Sequence, residues 1–213
     1  MNTGRPATPD IELLAAELAD ATAALPAAAA LFVKTGRAVR SHAGPIGAGE
    51  GAYAPSGAVV TAGAGSVVWI WLVGRRLPAA LQGLRVVRRA HAPFDHGRCL
   101  LRFDRIDFPP GGETPRHTHA GPGLRRLLAG RLGAEIGDRR FVISPGEVWL
   151  ERGPDPVIGR SLGDEPASFL RLLALPPDMR GKSSYRAWDR AEATRTNPVS
   201  YRLFFEEDID LPA

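Results

Sequence analysis

The chain has 213 residues, long enough to bury a substantial core as one domain with extensions. Its formal charge is +4, with the basic residues almost all arginine; the only lysines are Lys34 and Lys182, and the arginines are scattered among acids. That distribution lacks the basic stripe of a nucleic-acid-binding protein, and the lone cysteine, Cys99, excludes an internal disulfide and suits a reducing, cytoplasmic compartment.

Residues 1–9 are polar and read as a loose end. From Asp10 the apolar positions Ile11, Leu14 and Leu18 fall at helical spacing, with Asp10 as the N-cap. Pro26 should break that helix, and Ala27 to Lys34 read as a second one. The expectation is a helical arm and linker over residues 1–45, ahead of a single β-domain over 46–213. It is too charged and too interrupted for a secretory signal. Residues 41–57, rich in Gly, Ala, Ser and Pro, read as an irregular connection.

Between Ser56 and Val73 no residue is charged, and Arg75-Arg76 follow, which resembles a membrane span with a basic flank. Gly63 and Gly65 interrupt it, and Val59-Val60-Thr61 and Val67 to Val73 are β-branched and aromatic. Two strands in a hairpin, outside any membrane, are the expectation. Further strands are expected at 83–88, 98–108, 124–128, 131–136, 139–143, 148–151, 167–175 and 201–205, with Gly, Pro and Asp turns between them. Trp69, Trp71, Trp149 and Phe103 read as core. Many short strands at this spacing mean an all-β sandwich or barrel, and no internal repeat is visible in the text.

The chemistry concentrates at Gly111-Gly112-Glu113-Thr114-Pro115-Arg116-His117-Thr118-His119. On a strand, residues i and i+2 share a face, so His117 and His119 aim two imidazoles at one place, roughly 6.6 Å apart along the backbone. Gly111, His117-Thr118-His119 and Gly130, followed by Pro145-Gly146-Glu147 and its strand into Gly153-Pro154-Asp155-Pro156, resemble the two motifs of the cupin superfamily. The resemblance covers residues 98 to 175. It implies a double-stranded β-helix, or jelly-roll, barrel with a small-molecule pocket, here preceded by the helical arm.

In metal-binding cupins the resemblance implies two further ligands, a Glu from the first motif and a His from the second. They would fall at Gly123 or Leu124 and near Val157, none of which can ligate. A divalent Fe, Mn, Ni or Zn at His117 and His119 would need a substitute, with Glu113 first in sequence and Glu151, His91 and His96 as others; pocket lining by the two histidines is the alternative. Arg125 and Arg126 should face opposite ways, one of them into the pocket to bind the carboxylate of an acidic substrate. Trp149 and Glu151 of the second motif complete the candidate substrate-binding set. Three functions stay open: a metal-dependent dioxygenase- or isomerase-like enzyme, a binding or sensing barrel without metal, and a structural dimerisation module. Cupins commonly dimerise, and strand 67–73 could supply a shared sheet in a homodimer.

Overall fold

The computed structural model describes residues 10–212, so the loose end expected over residues 1–9 lies outside the described residues. The chain runs through β1 (Asp10–Ala19), β2 (Thr22–Ala24), β3 (Ala29–Thr35), β4 (Arg37–Arg40), β5 (Gly44–Gly47), β6 (Gly51–Ala54), β7 (Val59–Ala62), β8 (Val67–Gly74) and β9 (Arg85–Pro93). It continues through β10 (Arg98–Phe108), β11 (His117–His119), β12 (Gly123–Ala129), β13 (Leu132–Ile136), β14 (Arg139–Ile143), β15 (Val148–Glu151), β16 (Val157–Ser161), β17 (Ala167–Leu175), β18 (Tyr185–Ala187) and β19 (Ser200–Asp210). A single turn of α-helix, Arg190–Ala193, and a 3-10 turn at Pro177–Met179 are the helical elements among the described residues.

These strands form four sheets in two pairs. One pair has the orders β6-β3-β8-β1-β9 and β2-β7-β4-β5; the other has β15-β12-β17-β10-β19 and β14-β13-β16-β11-β18. The first eight strands and the eight from β10 to β17 occupy matching places: β1 corresponds to β10, β2 to β11, and so on to β8 and β17. The molecule is therefore two jelly rolls of the same topology. The single-barrel expectation is corrected: the repeat lies in strand order, and in the residues it shows only at the corresponding turns Gly49-Glu50 and Gly146-Glu147, whose carboxylates accept from the N–H of Gly47 and Ser144 at 2.6 Å each.

The expected N-terminal helices are strands. β1 pairs with β8 along its length and with β9 on its other side. Its even and odd positions feed two different cores: Ile11, Leu13 and Ala15 face the second barrel, while Leu14, Ala16 and Leu18 face the interior of the first. A strand covered on both faces reads as a continuous apolar run, and period alone cannot separate that from a helix. The arm expected over 1–45 is likewise not separate, since β3 bonds to both β6 and β8. Burial on both faces overrides the helical preference of alanine.

The segment 56–73 forms two strands about a turn with Gly65 at φ +69°, yet they do not pair as a hairpin. β7 joins the small sheet and β8 the large one, so the turn is a corner between sheets. No helix among the described residues is long and apolar enough to cross a membrane.

The large sheets of the two barrels face each other. Trp69, Trp71, Phe103, Leu101, Leu124 and Leu172 belong to one core between them, with the Trp71 and Phe103 rings 5.1 Å apart. The apolar strand expected to serve a shared intersubunit sheet is thus covered within the chain. Arg126, on the outward face of β12, crosses this interface. It donates to Glu17 at 2.9 Å and to the Gly146 carbonyl at 3.0 Å, with its guanidinium 3.8 Å from the Trp69 ring centre.

Candidate functional site

The two barrels differ in what fills them. The first is packed by Leu14, Leu18, Leu31, Ile46, Val60 and Ile70. At the place of the His-Thr-His strand it carries Thr22-Ala23-Ala24, with no ligating group. The second holds a cavity of about 650 Å³. Its floor is apolar, made by Ile106, Phe108, Leu132 and Phe169 with Trp149, and its other end is lined by His117, His119, Arg125, Glu151, Arg171 and Asp104.

β11 places both imidazoles in this cavity, and both are buried. The ring centres lie 4.9 Å apart, nearly perpendicular. His117 Nδ1 lies 2.8 Å from the Pro115 carbonyl. A carbonyl only accepts, so that nitrogen carries the proton and Nε2 keeps its lone pair. Burial holds the His117 pKa below its usual value, against the bond to Pro115. The His119 pKa is held well below it by burial and then by the positive charges of Arg125 and Arg171. Both imidazoles are neutral at pH 7.

Two ion pairs back them. Arg171 grips Asp104 with two bonds, at 2.9 and 2.7 Å. Burial works to lower the Arg171 pKa, but Asp104 outweighs it and raises it. Arg125 Nη2 lies 2.5 Å from Glu151 Oε2, and Glu151 Oε1 accepts from Trp149 Nε1 at 3.0 Å. Complete burial brings the Arg125 pKa down to about 10, partly offset by Glu151. Glu151 Oε2 is also 3.5 Å from His119 Nε2.

The segment after β17 roofs the cavity. β18 pairs with β11, and the Tyr185 ring stacks on His117 with centres 4.5 Å apart. Arg102 fastens this roof, donating to the carbonyls of Met179 and Lys182 at 2.9 and 2.7 Å and pairing with Glu206.

Of the residues expected from sequence, His117, His119, Arg125, Trp149 and Glu151 meet at the cavity. Arg126 does not; alternation turns it to the opposite face, toward Trp69. Glu113 does not either, because it is held outside by ion pairs to Arg160 and Arg195. His91 lies exposed on β9 of the first barrel, and His96 is exposed beside Asp95 at 3.3 Å. Sequence reasoning missed Arg171, Asp104 and Tyr185. Alternation along 102–107 could have flagged Asp104, but the partner lies 67 residues away.

A divalent metal, which the resemblance implies, does not fit this arrangement. Among the described residues no three His, Cys, Asp or Glu side chains form a ligand group. Two imidazoles are one donor short of the usual catalytic set, and the nearest carboxylate is engaged by a guanidinium.

The sequence itself matches one family profile, described as Cupin domain, over residues 104–173, within the second barrel. No curated protein matches the sequence. Several solved structures resemble the fold. AerE from Microcystis aeruginosa has 14% identity and a TM-score of 0.55, over 79% of this chain and 88% of that one. Oxalate decarboxylase of Lactobacillus farciminis, solved as a formate complex, has 14% identity and a TM-score of 0.58 over 90% of this chain and 83% of its own. The Bacillus subtilis oxalate decarboxylase, with its Mn(II) centres, has 10% identity and a TM-score of 0.59 over 92% and 78%. A likeness over nine-tenths of the chain takes in both barrels. With the His-Thr-His strand and the Pro-Gly-Glu turn in place within residues 104–173, the second barrel is a cupin domain, and the whole chain shares its fold with these two-barrel neighbours.

Proposed function

We propose that the second barrel binds a small organic molecule over His117 and His119, and that the first barrel serves as scaffold. The cavity carries this reading: its volume is that of a small-ligand site, one end is apolar and the other presents a few convergent polar groups. The ligand lays its apolar part against Phe108, Phe169 and Trp149. Its polar part meets the neutral imidazoles and the Arg171–Asp104 pair, with Tyr185 as a wall. Recognition of this kind needs no metal.

The metal-dependent enzyme, dioxygenase- or isomerase-like, is the second reading. One observation favours it: the Pro115 carbonyl fixes the His117 tautomer that leaves Nε2 free, as outer hydrogen bonds do for metal-bound histidines. It requires Glu151 to leave Arg125.

The test is a thermal-shift screen with small carboxylic acids (formate and oxalate included), sugars and aromatic alcohols, on the wild type and His117→Gln/His119→Gln. Compounds that raise the wild-type melting temperature and leave the double variant unmoved support the pocket. Equal responses from both proteins contradict it. A second copy of the chain is the other proposed partner, through a surface other than β8; a monomer by sedimentation velocity at micromolar concentration contradicts that.

A further inference from the structure

We infer that the Arg125 guanidinium stands where a metal ion would sit in the second barrel, and that it keeps His117, His119 and Glu151 as a latent three-donor site. Gly123 and Arg125 share one face of β12, two residues apart. With no side chain at Gly123, Arg125 folds back along the strand and Nη1 donates to the Gly123 carbonyl at 2.6 Å. A Cβ on Gly123 would lie 3.0 Å from that nitrogen. The guanidinium therefore borders the space beside 123, next after the Leu172 carbonyl oxygen at 2.6 Å and Leu173 Cδ2 at 2.7 Å. The family resemblance puts an acidic ligand at 123 or 124, and Leu124 faces the core between the large sheets instead.

The other end of the guanidinium holds the remaining donor. Nη2 is 2.5 Å from Glu151 Oε2, and that oxygen is 3.5 Å from His119 Nε2. A carboxylate oxygen thus already stands beside the imidazole, with the cation it pairs with being organic and covalently fixed. Arg125 is fully buried, and Arg171 lines the same cavity. A divalent ion entering beside them would meet two carboxylates, Glu151 and Asp104, each already neutralised by a guanidinium. Without the guanidinium, Glu151 would be a buried, uncompensated anion next to two imidazoles. Two histidines and one carboxylate form the donor set of open catalytic zinc sites.

The inference concerns the ion alone and stands whether or not the cavity takes an organic ligand. It is tested by titrating Zn(II) against a chromophoric chelator with the full-length wild type, Arg125→Met, Arg125→Met/Glu151→Gln and Arg125→Met/His119→Ala. Methionine keeps most of the arginine stem and drops the charge. The expected result is one equivalent bound by Arg125→Met, on the order of 10–100-fold tighter than any wild-type binding, and lost again in both double variants. One equivalent held by the wild type as tightly as by Arg125→Met overturns the inference. So does a folded Arg125→Met that gains nothing. Should circular dichroism show that variant unfolded, Arg125→Gln carries the same two outcomes.

Discussion

The Arg125 guanidinium and the Glu151 carboxylate lie 2.5 Å apart, both buried, directly behind the histidine pair that lines the second barrel. Glu151 also takes the Trp149 indole, so every charge at this end of the cavity has a counter-charge while the imidazoles stay neutral. The cavity is polar without carrying net charge, which suits a neutral or weakly polar ligand group and sets how the protein responds to acid.

Stability should fall as pH drops below the ordinary histidine range. His117 and His119 have folded-state pKa values below the unfolded 6.5, so the unfolded chain binds protons that the folded chain refuses. The sign follows: their contribution is intact above the unfolded pKa and is lost as pH falls through it toward the folded values. Each histidine can add up to about 1.4 kcal/mol per pH unit to the slope. Urea unfolding between pH 7 and pH 5 should show stability declining in the wild type and a flatter line in His117→Gln/His119→Gln. Equal slopes would mean that the imidazoles are solvated.

Gly123 should tolerate no side chain. A Cβ there would lie 2.6 Å from the Leu172 carbonyl oxygen and 2.7 Å from Leu173 Cδ2, and backbone in mid-sheet has nowhere to go. Gly123→Ala should cost about 1–3 kcal/mol, as overpacking does, and Gly123→Glu should fail to restore an acidic ligand by failing to fold. A Gly123→Ala protein with wild-type stability in chemical denaturation would refute the close approach.

The joint between the barrels should depend on Arg126. Its bond to Glu17 and its stacking on Trp69 cross from one large sheet to the other, while its bond to the Gly146 carbonyl anchors it within the second barrel. Arg126→Ala should lose about 2 kcal/mol, since a charged hydrogen bond and a buried cation–π contact go together. Arg126→Lys should recover little, because an ammonium cannot stack and bond in two directions at once. Denaturant midpoints of the three proteins check the ranking, and full rescue by lysine would assign the effect to charge alone.

The second barrel was legible in the sequence because its motif residues have fixed spacing. His117-Thr118-His119 and Pro145-Gly146-Glu147 located the strands and the pocket, and alternation turned Arg125 and Arg126 opposite ways. The first barrel was not legible. Its alanine-rich strands are buried on both faces, so Ile11, Leu14 and Leu18 suit a helix as well as a strand. Its counterpart of the histidine strand, Thr22-Ala23-Ala24, carries nothing to mark it as a repeat. Arg171 and Tyr185 were hidden for another reason: their roles depend on partners 67 residues away in one case and on a chain that returns over the mouth of the barrel in the other.

The division of labour between the barrels is tested most directly by ¹H–¹⁵N NMR of the full chain titrated with a compound that raises its melting temperature. The account predicts shift changes at His117, His119, Trp149, Arg171 and Tyr185, with Leu31, Val60 and Ile70 of the first barrel unmoved. Shifts centred on residues 10–93, or a wild-type pattern retained in His117→Gln/His119→Gln, would contradict it.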